Sequence, residues 1–181
     1  MTLLDVLLDA IGIESAVWLF LAAFMLHDFE EIIRIEPWMR RHADYLRTIV
    51  PNGLRGTLDR MSGVTVSQFA VAVCFEFVVF IPVTLLAAEK GIFLPFLGFN
   101  VILLLHVFMH IGQALYARML VPGVTTAVCI TLPYSLFIIA KLMREGFVTC
   151  MDVIVSIPFG LTLVPILLIG HKLGEMLARK D

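Results

Sequence analysis

His27-Asp28-Phe29-Glu30-Glu31 places an imidazole and three carboxylates inside one apolar stretch, and His106-Val107-Phe108-Met109-His110 places two imidazoles inside another. A charged side chain at mid-bilayer costs on the order of 3 kcal/mol on insertion scales. Such groups are stable there when they pair with one another or bind a metal. A helix brings residues three and four apart onto one side, so His27, Glu30 and Glu31 share a face, while Asp28 falls about 100° from His27. His106, His110 and Gln113 form a second stripe at steps of four and three. Two histidines one turn apart can bind one metal ion, the spacing used by zinc-protease helices.

Glu76 lies well inside a third apolar stretch. By helical rise, His27 lies about 10 Å before Arg34 and His110 about 12 Å before Arg118, which puts both in the same half of the membrane. Glu76 and His106 are expected deeper, so the cluster reads as a funnel open to the cytoplasm. Six candidate ligands thus converge from three helices: His27, Glu30, Glu31, Glu76, His106 and His110. Mixed imidazole and carboxylate donors suit zinc, iron or manganese, whereas an all-oxygen set would suit magnesium or calcium. One metal takes three or four of them; the remainder would orient ligands or act as general base, or all six would hold two metals. Glu30 and Glu31 are the candidate catalytic carboxylates.

The elements that must position these groups are membrane helices. The chain has 181 residues, 60% hydrophobic and 15% charged, and a mean hydropathy of +0.99, far from the composition of a soluble domain. We expect an all-α polytopic membrane protein whose residues 1–181 form a single membrane-embedded helical domain, a compact bundle of five transmembrane helices. The spans fall near Ile13 to Ile33, Val64 to Ala88, Ile92 to Ala117, Val124 to Met143 and Thr149 to Gly170. Tight turns at Glu89-Lys90-Gly91, Arg118 to Gly123 and Arg144-Glu145-Gly146 make the last four sequential antiparallel neighbours. Arg34 to Gly63 is the long connection. Within it, Pro37 to Val50 has Trp38, Tyr45, Leu46 and Ile49 on one helical face, the pattern of a short amphipathic helix on the inner membrane surface.

With the amino terminus outside, the inner side holds Arg34, Arg40, Arg41, Arg47, Arg55, Arg60, Arg118, Lys172, Arg179 and Lys180, against Lys90, Lys141 and Arg144 outside. This imbalance predicts a multi-pass membrane protein with its carboxy terminus in the cytoplasm, and the expected membrane is the inner cell membrane. Met1 to Glu14 has acidic residues and no basic one, unlike a cleavable signal peptide. The net charge of −2 and the confinement of basic residues to span ends and one loop give no nucleic-acid surface. Cys74, Cys129 and Cys150 are spread singly and read as packing residues. Pro82, Pro133, Pro158 and Pro165 should bend their helices. No internal repeat of the transporter kind is visible.

His27-Asp28-Phe29-Glu30-Glu31 resembles the signature of the HXXEE group of uncharacterised, mostly bacterial, integral membrane proteins. His106-Val107-Phe108-Met109-His110, Gln113 and Arg118 to Thr126 (RMLVPGVTT) resemble the rest of that pattern, and the likeness runs from the first span through the fourth. The resemblance implies a membrane-bound metal-dependent enzyme, a hydrolase among the options. It places motif positions on His27, Glu30, Glu31, His106 and His110.

The expected function is a zinc hydrolase with a cytoplasm-facing site, using His106, His110 and either His27 or a glutamate as ligands. A neighbouring glutamate would take a proton from water, and the substrate would be an amphiphilic small molecule entering from the bilayer. No serine, cysteine or glycine-rich constellation offers another nucleophile or a phosphate cradle. The alternatives are a di-iron or di-manganese oxidoreductase, although the Glu-x-x-His pairs of bundle dimetal sites are absent, and a metal or proton carrier using the same cluster. Haem is disfavoured, because His106 and His110 share one helix. Self-association is left open by the sequence.

Overall fold

The computed structural model describes residues 9–178. Asp5, Arg179 and Lys180, which entered the readings of the amino terminus and of the charge balance, lie outside the described residues. The elements are α1 (Ile13–Ile49), α2 (Arg55–Ser62), α3 (Val66–Lys90), α4 (Phe93–Ala117), α5 (Val124–Arg144), α6 (Cys150–Leu161) and α7 (Leu163–Leu177), with no strand among the described residues. Four helical stretches are long and apolar enough to cross a membrane: α3, α4, α5 and the α6–α7 pair. α1 is not one of the four; Glu14, Asp28, Glu30 and Glu31 interrupt its apolar first half.

Local sequence sets the boundaries. Thr65 and Gln68 form a capping box that starts α3, and Thr149 and Asp152 form another that starts α6; each satisfies backbone donors that a helix start leaves open. Glu36 of α1 accepts from the Val66 amide at 2.8 Å, adding a carboxylate to the positive end of α3. Gly91 closes α3 at φ 66°. α6 gives way to α7 at Thr162, where Pro165 cannot donate to the Leu161 carbonyl.

The expected separate surface helix at Pro37 to Val50 is instead the second half of α1, which runs unbroken for 37 residues through Pro37. The Glu30–Arg34 ion pair precedes the proline and the Glu36–Arg40 pair spans it. Met39 and Leu46 are buried with Ala117, Val121 and Val124, and the Trp38 indole donates to the Leu120 carbonyl at 2.9 Å. These contacts give this half tertiary support that offsets the hydrogen bond lost at proline.

In the core, Phe20 meets Phe80 and Phe96 at 5.2 Å between ring centroids, and Phe24 meets Phe80 at 4.5 Å. The Tyr134 hydroxyl donates to the Ala16 carbonyl at 3.0 Å. The stripe Ala16, Phe20, Ala23 and His27 is buried throughout, as its small residues predict for a protein-facing side. Gly98 and Gly160 bring α4 and α6 into backbone contact, and Gly170 and Gly174 do the same for α7 against α3. The three cysteines, read as packing residues, are all exposed on the surface of the bundle; cysteine's frequent burial says little about which face of a span it occupies.

Candidate metal centre

Two helices and one loop build the centre. α1 supplies His27 and Glu31 from successive turns, and α4 supplies His106 and His110 from successive turns. One ligand atom from each of these four lies within 4.8 Å of the others. His110 Nε2 lies 2.8 Å from His106 Nε2 and 3.0 Å from Glu31 Oε1. The His27 ring stands edge-on to both, with centroids 5.3 Å and 5.0 Å away. His27 and His110 are buried, while His106 and Glu31 keep partial exposure.

The hydrogen-bond network fixes which face of His27 points into the cluster. The Thr126 hydroxyl makes its shortest bond, 2.7 Å, by donating to Glu30 Oε2. Its oxygen is then the acceptor for His27 Nδ1 at 3.1 Å, so Nδ1 carries the ring proton and Nε2 presents a lone pair. That Nε2 is buried and has no partner among the described residues. A histidine whose far nitrogen donates to a supporting group is the usual arrangement of a metal ligand.

The donor set fits a divalent metal. Ligand atoms around a four-coordinate zinc stand about 3.3 Å apart, so the His106–His110–Glu31 approach would open by a few tenths of an ångström and the longer separations, up to 4.8 Å, would close. Three imidazoles and one carboxylate are donors that zinc, iron and manganese accept.

Glu30 and Glu76, both candidate ligands by sequence, are outside the group of four. Glu30 turns to the other side: Oε1 meets Arg34 at 2.5 Å, and Oε2 accepts from the Thr126 amide at 2.8 Å as well as from its hydroxyl. With both oxygens engaged it acts as an anchor for Thr126. Glu76 is half-buried on α3, within electrostatic range of Glu31 and of the buried Asp28. Asp28 is outside the group, in keeping with its helical phase. Gln113 is exposed. Asn100, on a different face of α4 from His106, is fully buried with neither side-chain atom bonded among the described residues.

Thr126 and Gly123 are site residues that sequence reasoning did not single out, although both belong to the RMLVPGVTT stretch. Gly123 has φ 83°, and a Cβ there would sit 2.7 Å from both Glu31 Oε1 and His110 Cε1. Val121 to Val124 are buried and Gly123 packs against Glu31 and His110, so this segment covers part of the cluster where the sequence suggested an open funnel. The following turn is a wide π-helical one, Ala127–Thr131.

Because Thr126 links His27 to Glu30, Thr126→Val is expected to lower metal affinity about 10- to 100-fold and stability by about 1–3 kcal/mol. Thr126→Ser should restore both. Metal titration and thermal melting of the three proteins check this; wild-type affinity in the valine variant would remove Thr126 from the site.

Residues 18–138 match a family model described as a protein of unknown function with HXXEE motif. No curated protein matches the chain, and no solved structure does. The match runs from Trp18 on α1 to Ile138 on α5, taking in all four converging residues and the Gly123–Thr126 roof, and on that extent the chain belongs to the HXXEE family.

Proposed function

We propose that the protein is a membrane-embedded hydrolase that binds one divalent metal, zinc, and acts on an amphiphilic substrate. The observation that carries this reading is the convergence of His27, Glu31, His106 and His110 within 4.8 Å. His27, His106 and His110 hold the ion, and Glu31 is the proton acceptor for water. Glu30 orients His27 through Thr126. A zinc ion in this set supplies Lewis-acid polarisation of a carbonyl or phosphoryl oxygen and acidifies water. The partial exposure of His106 and Glu31 supports substrate approach from the side of the bundle, under the Val121–Val124 roof.

In this reading the first half of α1 crosses the bilayer with the four apolar helices, making five spans. The amino terminus is outside, and the α1–α3 connection and carboxy terminus are in the cytoplasm. The excess of Lys and Arg on that side supports this orientation. Pairing of the carboxylates with imidazoles, Thr126 and Arg34 offsets the insertion cost of the HXXEE segment.

Elemental analysis of the purified protein beside two variants tests the assignment. Wild type is expected to hold one zinc per chain, and His106→Ala to lose it. Glu31→Gln is expected to keep the zinc and lose hydrolysis of a panel of amphiphilic esters, amides and phosphoesters by about 100-fold or more. Two irons per chain with a near-ultraviolet oxo band would replace the hydrolase with an oxidoreductase. Metal-free protein whose proton flux depends on Glu76 would replace both with a carrier.

A further inference from the structure

A groove of about 530 Å³ opens where the end of α1 crosses the end of α4, lined by Tyr45, Ile49, Leu115, Tyr116 and Arg118. Its polar side chains differ in what they have left to offer. The Tyr45 hydroxyl donates to the Ala117 carbonyl at 3.3 Å, and the Tyr116 hydroxyl to the Ile49 carbonyl at 2.6 Å. Arg118 makes no side-chain hydrogen bond or ion pair among the described residues. Elsewhere in this region Arg34, Arg40 and Arg47 are each paired with a carboxylate. Arg41, exposed one turn before Tyr45, has no carboxylate partner among the described residues either. The groove therefore carries uncompensated positive charge beside aromatic rings of the kind that settle at a membrane's headgroup level.

Arg118 is also the one non-glycine residue among those described with a left-handed backbone, φ 53°. It occupies the helix-ending position that glycine usually takes, so a guanidinium side chain stands where backbone ease alone would favour glycine. From it, Leu115, Phe108 and Leu105 form an exposed stripe along α4. Gly112 adds a notch in that stripe, since nothing lies within 4 Å of where its Cβ would be.

We propose that this groove seats the phosphate headgroup of an anionic phospholipid, with Arg118 as its principal donor and an acyl chain lying along Leu115 and Phe108. The guanidinium pairs the phosphate in its planar, two-pronged manner, and Arg41 adds long-range attraction. The site depends on the bundle lying in a bilayer and is independent of the metal and of hydrolysis.

Native mass spectrometry of the full chain in detergent, supplied with phosphatidylglycerol or with phosphatidylcholine of the same acyl chains, tests it. Wild type is expected to retain the anionic lipid about fivefold over the zwitterionic one, the preference that one arginine near the surface confers. Arg118→Gly relaxes the backbone and should melt no lower than wild type, yet it should lose most of its preference. Arg118→Lys should keep a clear preference. Equal retention of the two lipids by wild type, or an undiminished preference in Arg118→Gly, would overturn the proposal.

Discussion

For the proposed metal centre, Gly123→Ala is expected to weaken metal binding sharply while leaving every ligand in the sequence. The added Cβ meets Glu31 Oε1 and His110 Cε1 at 2.7 Å and Glu31 Cγ at 2.9 Å. Either the loop lifts or His110, a ligand, moves together with Glu31 beside it, and that displacement should cost about 10- to 100-fold in affinity. The left-handed backbone adds about 1–2 kcal/mol of destabilisation, whatever the space. Gly146→Ala separates the two effects, because Gly146 has φ 77° but nothing within 4 Å of its Cβ position. That variant should pay the backbone strain and keep its metal. If Gly123→Ala binds metal as Gly146→Ala does, the roof does not set the ligand geometry.

The largest loss of stability should come from Gly160→Leu, far from the histidines. A Cβ at Gly160 would overlap the Gly98 carbonyl oxygen and Ile102 Cγ1, so α6 and α4 could not keep their backbone contact. Overpacking at a tight contact costs typically 1–3 kcal/mol, and backbone against backbone leaves no side chain to rotate away, which places the expected cost at about 3 kcal/mol or above. Gly112→Leu is the matched control on α4, where a Cβ meets nothing within 4 Å. Melting of both variants in detergent should show a large drop for the first and little change for the second. Equal melting would mean that close approach of α4 and α6 does not hold the bundle together.

The four converging residues were legible because each pair lies on one helix at a spacing that geometry alone converts into a shared face. His27 with Glu31, and His106 with His110, needed only the 3.6-residue period. Glu30 shares the same sequence evidence as Glu31 and still departs from the cluster. Its partner is a backbone amide and hydroxyl at Thr126, ninety-six positions away, and no periodicity reports such a contact. Gly123 was hidden for a related reason: a Val-Pro-Gly turn reads as a helix joint, and only the fold shows what occupies the space a side chain would fill.

The fold divides in the same way. Apolar length located three of the last four stretches to within two residues at each end, whereas Pro37 read as the start of a new element and is the interior of an old one. Proline penalises a helix locally, but burial of Met39 and Leu46 and the Trp38–Leu120 bond are tertiary. Thr162 divides α6 from α7 where the apolar run is continuous and the expected span stopped at Gly170, short of the end of α7 at Leu177.

At a helical rise of 1.5 Å per residue, α1 is about 55 Å long, well beyond the roughly 30 Å of a hydrocarbon core. Two sets of hydrogen bonds tie it to the stretch after α4: Trp38 holds Leu120, and His27 and Glu30 hold Thr126. Mechanically this is a braced strut, two rigid members tied at two points roughly 16 Å apart along the helix. A push on the far end of α1 cannot be taken up at the Trp38 tie alone. Displacing the far end of α1 loads both ties, which links that end to the His27 imidazole at the buried centre.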